Sequence, residues 1–130
     1  MHFHVDSGNG IPIYEQISRQ VKFAVAAGIL PAAELIPSVR ELARQLAVNP
    51  NTVARAYRDL QTEGVLESVR GEGLRVTASA RELCRNERLR LVRERLRSVL
   101  REAEQAGLTR TELRTLFRDE LTHLDQEEAL

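Results

Sequence analysis

Apolar residues recur along this chain as three short helical stripes, a pair of strands and one long seam. Tyr14, Ile17, Val21, Ala24 and Val25 are spaced by three and four residues, which puts them on one face of an amphipathic helix. Pro12 is expected in the first turn of that helix, where its missing N–H has no intrahelical partner, and Gly28 is expected to stop it. Val39, Leu42, Ala43 and Leu46 repeat the spacing over a shorter stretch, and Ser38 with Glu41 forms a capping-box sequence at its start. After a break at Val48-Asn49-Pro50-Asn51 comes a third stripe, Val53, Ala56, Tyr57 and Leu60. Its helix is expected to start at Pro50 or Asn51, run to Glu63 and end at Gly64. Val65–Val69 and Leu74–Thr77 then read as two strands around Arg70-Gly71-Glu72-Gly73, a hairpin with a glycine-bearing tip.

Beyond the hairpin the pattern lengthens. Leu89, Val92, Leu96, Val99, Ala103 and Ala106 alternate steps of three and four, the seam of a heptad repeat within a helix over 80–106. At 1.5 Å rise per residue such a helix is about 40 Å long, too long to bury its stripe on a small domain alone. Gly107 ends it, and Thr109 with Glu112 is a second capping box. Leu113, Leu116, Phe117 and Leu124 line a final helix, with Leu121 one position off the stripe. Residues 1–11 carry no period, and their turn-rich Ser7-Gly8-Asn9-Gly10 marks them as an arm. Two short helices joined by a brief turn, the second with Asn, Thr and Arg outward, are the layout of a helix-turn-helix. The expected fold is therefore mainly α. An arm (1–11) precedes a winged helix-turn-helix of three helices plus a β-hairpin wing (12–77), and a two-helix dimerisation tail (78–130) follows.

Composition narrows the setting. With 42% hydrophobic and 29% charged residues, a packed core is accessible and wholesale disorder is not expected. Two Tyr, three Phe and no Trp leave little material for a surface of stacked bases. The single Cys84 excludes an intrachain disulfide and a cysteine-based zinc site and fits a reducing cytoplasm. No window is apolar enough to span a membrane, and the first residues lack the layout of a signal peptide, so a cytoplasmic protein with no membrane partner is expected. Nineteen basic residues balance nineteen acidic ones, so any nucleic-acid footprint must be local. Eight Arg stand between Arg81 and Arg101 against three Glu, whereas Asp119–Glu128 holds five acids and neither Lys nor Arg.

Several motifs, in order, resemble one family. Pro12-Ile13-Tyr14-Glu15-Gln16-Ile17, Pro37-Ser38-Val39-Arg40-Glu41-Leu42-Ala43, Val48-Asn49-Pro50-Asn51-Thr52-Val53-Ala54-Arg55-Ala56-Tyr57, Glu63-Gly64-Val65 and Arg70-Gly71-Glu72-Gly73 are similar to the N-terminal domain of GntR-family regulators. The Asn-Pro-Asn-Thr-Val and Ala-Tyr wording with a short helical tail resembles the YtrA subfamily. The resemblance covers about half the chain, residues 12–77. It implies a DNA-binding regulator of transcription, places Arg40 at DNA through its Pro-Ser-x-Arg motif, and makes the tail a dimerisation module. Where the family has a Pro-Gly-Asp-like turn before the second helix, Ala32-Ala33-Glu34 stand here. If a positive φ is needed there, Ala33 must either adopt another turn or bear strain of about 1–2 kcal/mol. The wing departs too, with Gly73-Leu74-Arg75-Val76 in place of Gly-Thr-aromatic-Val, and Pro50 takes the place of a frequent Arg.

Reading a major groove takes short polar side chains at the front of a helix and longer ones a turn further on. Asn49, Asn51 and Thr52 suit the first role. Arg55 suits bases or phosphate and Arg58 mainly phosphate, with Arg44 one turn beyond Arg40. Ser38 caps the helix that carries Arg40, and Arg70 with Gly71 and Gly73 gives the wing a cation and close backbone approach to a minor groove. Against these stand plainer roles: a cap for Asn49, solvated surface for Arg44 and Arg58, and a cross-strand partner such as Glu67 for Arg75. Residues 12–77 carry eight basic and seven acidic side chains, so binding to random DNA is expected to be weak with a shallow salt slope. Two or three positioned contacts per domain call for two copies. The expected partners are therefore double-stranded operator DNA and a second copy, paired through Leu89, Val92, Leu96, Val99, Leu113, Leu116, Phe117 and Leu124.

Other classes fare worse. A protein-interaction adaptor built on the same winged helix is the alternative, but apolar anchors would suit it better than Asn51, Thr52 and Arg55. No nucleotide-binding glycine loop, catalytic triad or metal-ligand spacing supports an enzyme, a cofactor or a metal; His2, His4 and His123 lack further ligands nearby. Cys84 reads as a plain thiol before it reads as a redox sensor. The tail is too short for a conventional effector pocket within one subunit, so a small-molecule effector would need a groove at a dimer interface.

Overall fold

The three short stripes converge on one core. In the computed structural model, which describes residues 1–129, they become α1 (Ile13–Ala26), α2 (Val39–Leu46) and α3 (Pro50–Thr62). The antiparallel pair β1 (Leu66–Val69) and β2 (Gly73–Val76) follows, then α4 (Ala80–Gln105) and α5 (Arg110–Glu128). Leu130, the last residue of the tail segment, lies outside the described residues. The chain forms two compact units, Met1–Leu89 and Arg90–Leu130.

In the first unit Ile17, Val21 and Val25 of α1, Leu42 of α2, and Val53, Tyr57 and Leu60 of α3 are fully buried, with Val76 of β2 closing one side. Burying each such side chain contributes about 1.5–3 kcal/mol relative to leaving it in water. The Tyr57 hydroxyl keeps a partner by donating to the Pro37 carbonyl oxygen at 2.8 Å, which ties α3 to the entry of α2. Pro12 sits one place earlier than the sequence suggests. It is the N-cap of α1 with extended backbone, and it accepts from the Glu15 and Gln16 N–H groups.

The arm is not free. Phe3 is buried in the core, and α1 holds the segment by two glutamines. The Gln16 amide nitrogen donates to the carbonyl oxygens of Asp6 at 2.7 Å and Ile11 at 2.8 Å, while its oxygen accepts from the Asp6 N–H at 2.8 Å. The Gln20 oxygen accepts from the His4 N–H at 2.9 Å. A lone aromatic residue among polar neighbours has no period, so the sequence gives no sign of this docking.

The hairpin pairs Leu66 with Val76 and Val69 with Gly73. Its Glu67–Arg75 pair forms the cross-strand bridge expected from sequence, Nε to Oε1 at 2.8 Å. The other edge of β2 is occupied as well, a pairing that periodicity did not signal. Leu35 bridges to Arg75; the Ala33 N–H donates to the Val76 oxygen at 2.8 Å and the Ile36 N–H to the Leu74 oxygen at 3.0 Å. This pairing holds Ala33 at φ +72°, so of the two alternatives, a different turn or a strained one, the chain adopts the strained one. Ala33→Gly removes that strain at the expense of some unfolded-chain entropy, so a net gain of about 0.5–1 kcal/mol is expected. Urea unfolding with an unchanged slope measures it; a lower midpoint would show that the turn needs the Ala33 methyl.

Lys22 ties α1 to the ends of two other helices. Its ammonium lies 2.8 Å from Glu63, just past α3, and 3.2 Å from Glu87 in the first turns of α4. Burial alone would lower its pKa, but hydrogen bonds to the two carboxylates outweigh that and hold it above the usual lysine value. Beside this cluster Cys84 is buried, and burial, helped by Glu87, pushes its thiol up to about 11. The Cys84 thiol is thus packed in the core, where its surroundings favour the protonated form. Iodoacetamide at pH 7.5 is expected to alkylate it at least about 100-fold more slowly in the folded protein than in urea. Equal rates in the two conditions would show that the thiol is open and reactive.

Candidate nucleic-acid interface

The geometry of the helix-turn-helix follows from its caps. Ser38 Oγ accepts from the Glu41 N–H at 3.1 Å and so starts α2, which carries Arg40 and Arg44 on its exposed face. After α2 the backbone turns through Ala47 in the left-handed region, φ +54°, and the Val48 N–H donates to the Ala43 oxygen. Asn49 then caps α3, its side-chain oxygen accepting from the Asn51 N–H at 2.8 Å, with Pro50 in the first turn. The helical period does the rest. With Val53, Ala56, Tyr57 and Leu60 turned inward, Asn51, Arg55 and Arg58 form an exposed stripe, and Thr52 lies half-buried at its margin.

Arg55 has a defined position on that stripe. Its guanidinium carbon sits 3.7 Å from the centroid of the Tyr14 ring, in the first turn of α1. Among the described residues no ion pair engages Arg40, Arg44, Arg55, Arg58 or Arg70. Asn49 differs: its oxygen serves the cap, which leaves its NH2 as the free polar group. At the wing Arg70 is exposed, and Gly71 (φ +81°) and Gly73 (φ +117°) supply backbone that other residues adopt only under strain. An added Cβ at either glycine would meet open space, so both are needed for the shape of the turn and not to fit against the rest of the chain. Arg75, held by Glu67, is committed to the sheet.

The remaining candidates stand on α4 and α5. Thr109 and Glu112 form both hydrogen bonds of the capping box that starts α5, each at 3.1 Å. Leu89, Val92, Leu96 and Val99 are between 38% and 57% exposed, and Leu116, Phe117, Leu121 and Leu124 between 41% and 59%, with Leu113 half-buried. The sequence reading placed Tyr14 with the core stripe alone and missed its second contact. The signal available was weak: an aromatic ring at the front of a helix whose position relative to α3 no spacing rule provides.

Three helices, a short paired segment and a glycine-tipped hairpin, with a polar face on the third helix, define a winged helix-turn-helix. Residues 13–76 match the family described as bacterial regulatory proteins, gntR family. Over 104 residues, 80% of each chain, the protein is 36% identical to the HTH-type transcriptional repressor YtrA of Bacillus subtilis (strain 168). A crystal structure of a transcriptional regulator from Oenococcus oeni superposes with a TM-score of 0.77 at 30% identity, covering 93% of this chain and 97% of that one. A structure of AraR(DBD) in complex with operator ORX1 matches at a TM-score of 0.50 and 28% identity, over 59% of this chain and 93% of that one. The chain belongs to the gntR family: it is a transcription regulator with a DNA-binding winged helix, and not an enzyme. Among the described residues no helix is long and apolar enough to cross a membrane.

Proposed function

We propose that this protein is a homodimeric repressor that binds a two-fold symmetric operator in double-stranded DNA and acts in the cytoplasm. The observation that carries the reading is the exposed stripe of Asn51, Arg55 and Arg58 on a capped helix whose opposite face is buried. In this reading Asn51 and Thr52 meet base edges from the front of α3, and Arg55 reaches a base or phosphate. Arg58, Arg40 and Arg44 anchor on phosphate, with Ser38 and Asn49 fixing the two helix starts. Arg70, just ahead of the glycine-dependent turn at Gly71 and Gly73, enters the minor groove beside the site. Residues 1–11 serve as the arm, 12–77 as the reading domain and 78–130 as the dimerisation tail. Occupying an operator that overlaps a promoter is sufficient for repression, in keeping with the similarity to a repressor.

The apolar side chains that α4 and α5 leave in water support dimerisation. A second copy covers Leu89, Val92, Leu96 and Val99 together with Leu113, Leu116, Phe117 and Leu124, and sets two recognition helices at a fixed spacing. Selection of bound duplexes from a random library, with sedimentation of the complex, tests the reading. The expected outcome is an enriched inverted repeat with half-sites about 10 bp apart or a multiple of that, bound by two chains. An enriched site without symmetry, or one bound by a single chain, would overturn the dimer. No enrichment at all would overturn the operator.

A further inference from the structure

We infer that Tyr14 is a positioning residue for DNA recognition: its ring holds the Arg55 guanidinium in the pose that reads the operator. The inference rests on the proposed role of Arg55 and adds a residue from α1, outside the helix-turn-helix itself. The Arg55 guanidinium carbon lies 3.7 Å from the Tyr14 centroid, the separation of a cation in direct contact with a ring face. The contact is built on two ordered parts. Tyr14 is half-buried against the core at the start of α1, and Arg55 extends from a helix whose adjacent Ala56 and Tyr57 are buried.

Three features make the stack consequential. First, Arg55 is the earliest cation of α3, because Pro50, Asn51, Thr52, Val53 and Ala54 before it carry no charge. Second, among the described residues no carboxylate pairs with it, so the ring is what defines its position. Third, an arginine is a long, rotamer-rich side chain, and a planar guanidinium lying on a ring face keeps its N–H edge free to donate in pairs. A neutral aromatic face also leaves the charge undiminished for a phosphate or a guanine edge, which a salt bridge would not. Tyr14 therefore restricts the free side chain to few orientations without using up its donors.

The test is a double-mutant cycle on the full chain with the selected operator duplex, using Tyr14→Phe, Tyr14→Leu, Arg55→Ala and the Tyr14→Leu/Arg55→Ala pair. Tyr14→Phe keeps the ring face and is expected to bind within about twofold of the parent, whereas Tyr14→Leu weakens binding about tenfold. The Leu variant also relaxes preference at the base pair that Arg55→Ala relaxes, a change that simple loss of folding stability would not produce. In the Arg55→Ala background, Tyr14→Leu is expected to add nothing. Thermal melts check that each variant is folded at the binding temperature. If Arg55→Ala weakens binding and Tyr14→Leu does not, the positioning role falls while the recognition role of Arg55 stands. If Arg55→Ala leaves affinity and preference unchanged, both fall. Equal losses in the Phe and Leu variants would assign the effect to the Tyr14 hydroxyl, and tighter binding by the Leu variant would show that the ring restrains Arg55 away from DNA; either overturns the inference.

Discussion

Glutamate at both Leu96 and Val99 is expected to leave the protein monomeric and to weaken operator binding by about 100-fold or more. In the single chain these side chains are 38% and 57% exposed, so a carboxylate there meets water and the winged helix folds as before. In a dimer sealed along the seam, the same change places four carboxylates in an apolar interface, each costing several kcal/mol. Linking two half-site readers makes the second contact effectively intramolecular, and monomers lose that advantage altogether. Sedimentation velocity and a binding titration on the same sample report both effects. A double variant that remains dimeric would move the interface off the α4 seam.

Arg55→Ala is expected to have an effect of comparable size. A well-placed bidentate contact is worth about 1–3 kcal/mol, and a dimer carries two copies, so the loss reaches about 2–6 kcal/mol per operator. The loss should be specific. Arg55→Ala is expected to level the preference at one base pair in each half-site and to leave affinity for random DNA little changed. Arg58→Ala makes the contrast, because a phosphate contact weakens all sequences alike and lowers the salt slope by about 0.9 per phosphate freed. If the two variants behave in the same way, Arg55 is a phosphate anchor as well. The near-neutral reading domain makes the comparison sensitive: eight basic against seven acidic side chains over residues 12–77 leave little background attraction to mask a lost base contact.

Local chemistry made most of the fold legible. Ser38, Asn49 and Thr109 cap helices where short polar side chains precede apolar periods, and the wing turns where Gly71 and Gly73 permit positive φ. Each of those signals acts within a few residues, which is the range at which sequence determines backbone. The features that escaped are single long-range contacts. Leu35 closes on the edge of β2 across forty residues of chain, Phe3 reaches the core from a segment without period, and the Tyr14 ring meets Arg55 only because α1 and α3 pack together. Ala33 lies between the two kinds. The departure from a glycine-bearing turn was legible and left two outcomes, but the strand pairing that selects the positive φ was not. The interface residues divide in the same way, since helical period gives the face on which Asn51, Arg55 and Arg58 stand and says nothing of what steadies them.

The burial of Phe3 has a practical side. Phe3 belongs to the core, and the two α1 glutamines hold the backbone at His4 and Asp6. A bulky label placed directly beside Phe3 would crowd that attachment, and deleting residues 1–5 would open the packing beneath it. Labelled versions of this regulator are better made through a flexible spacer, with melting temperature compared before and after the handle is removed.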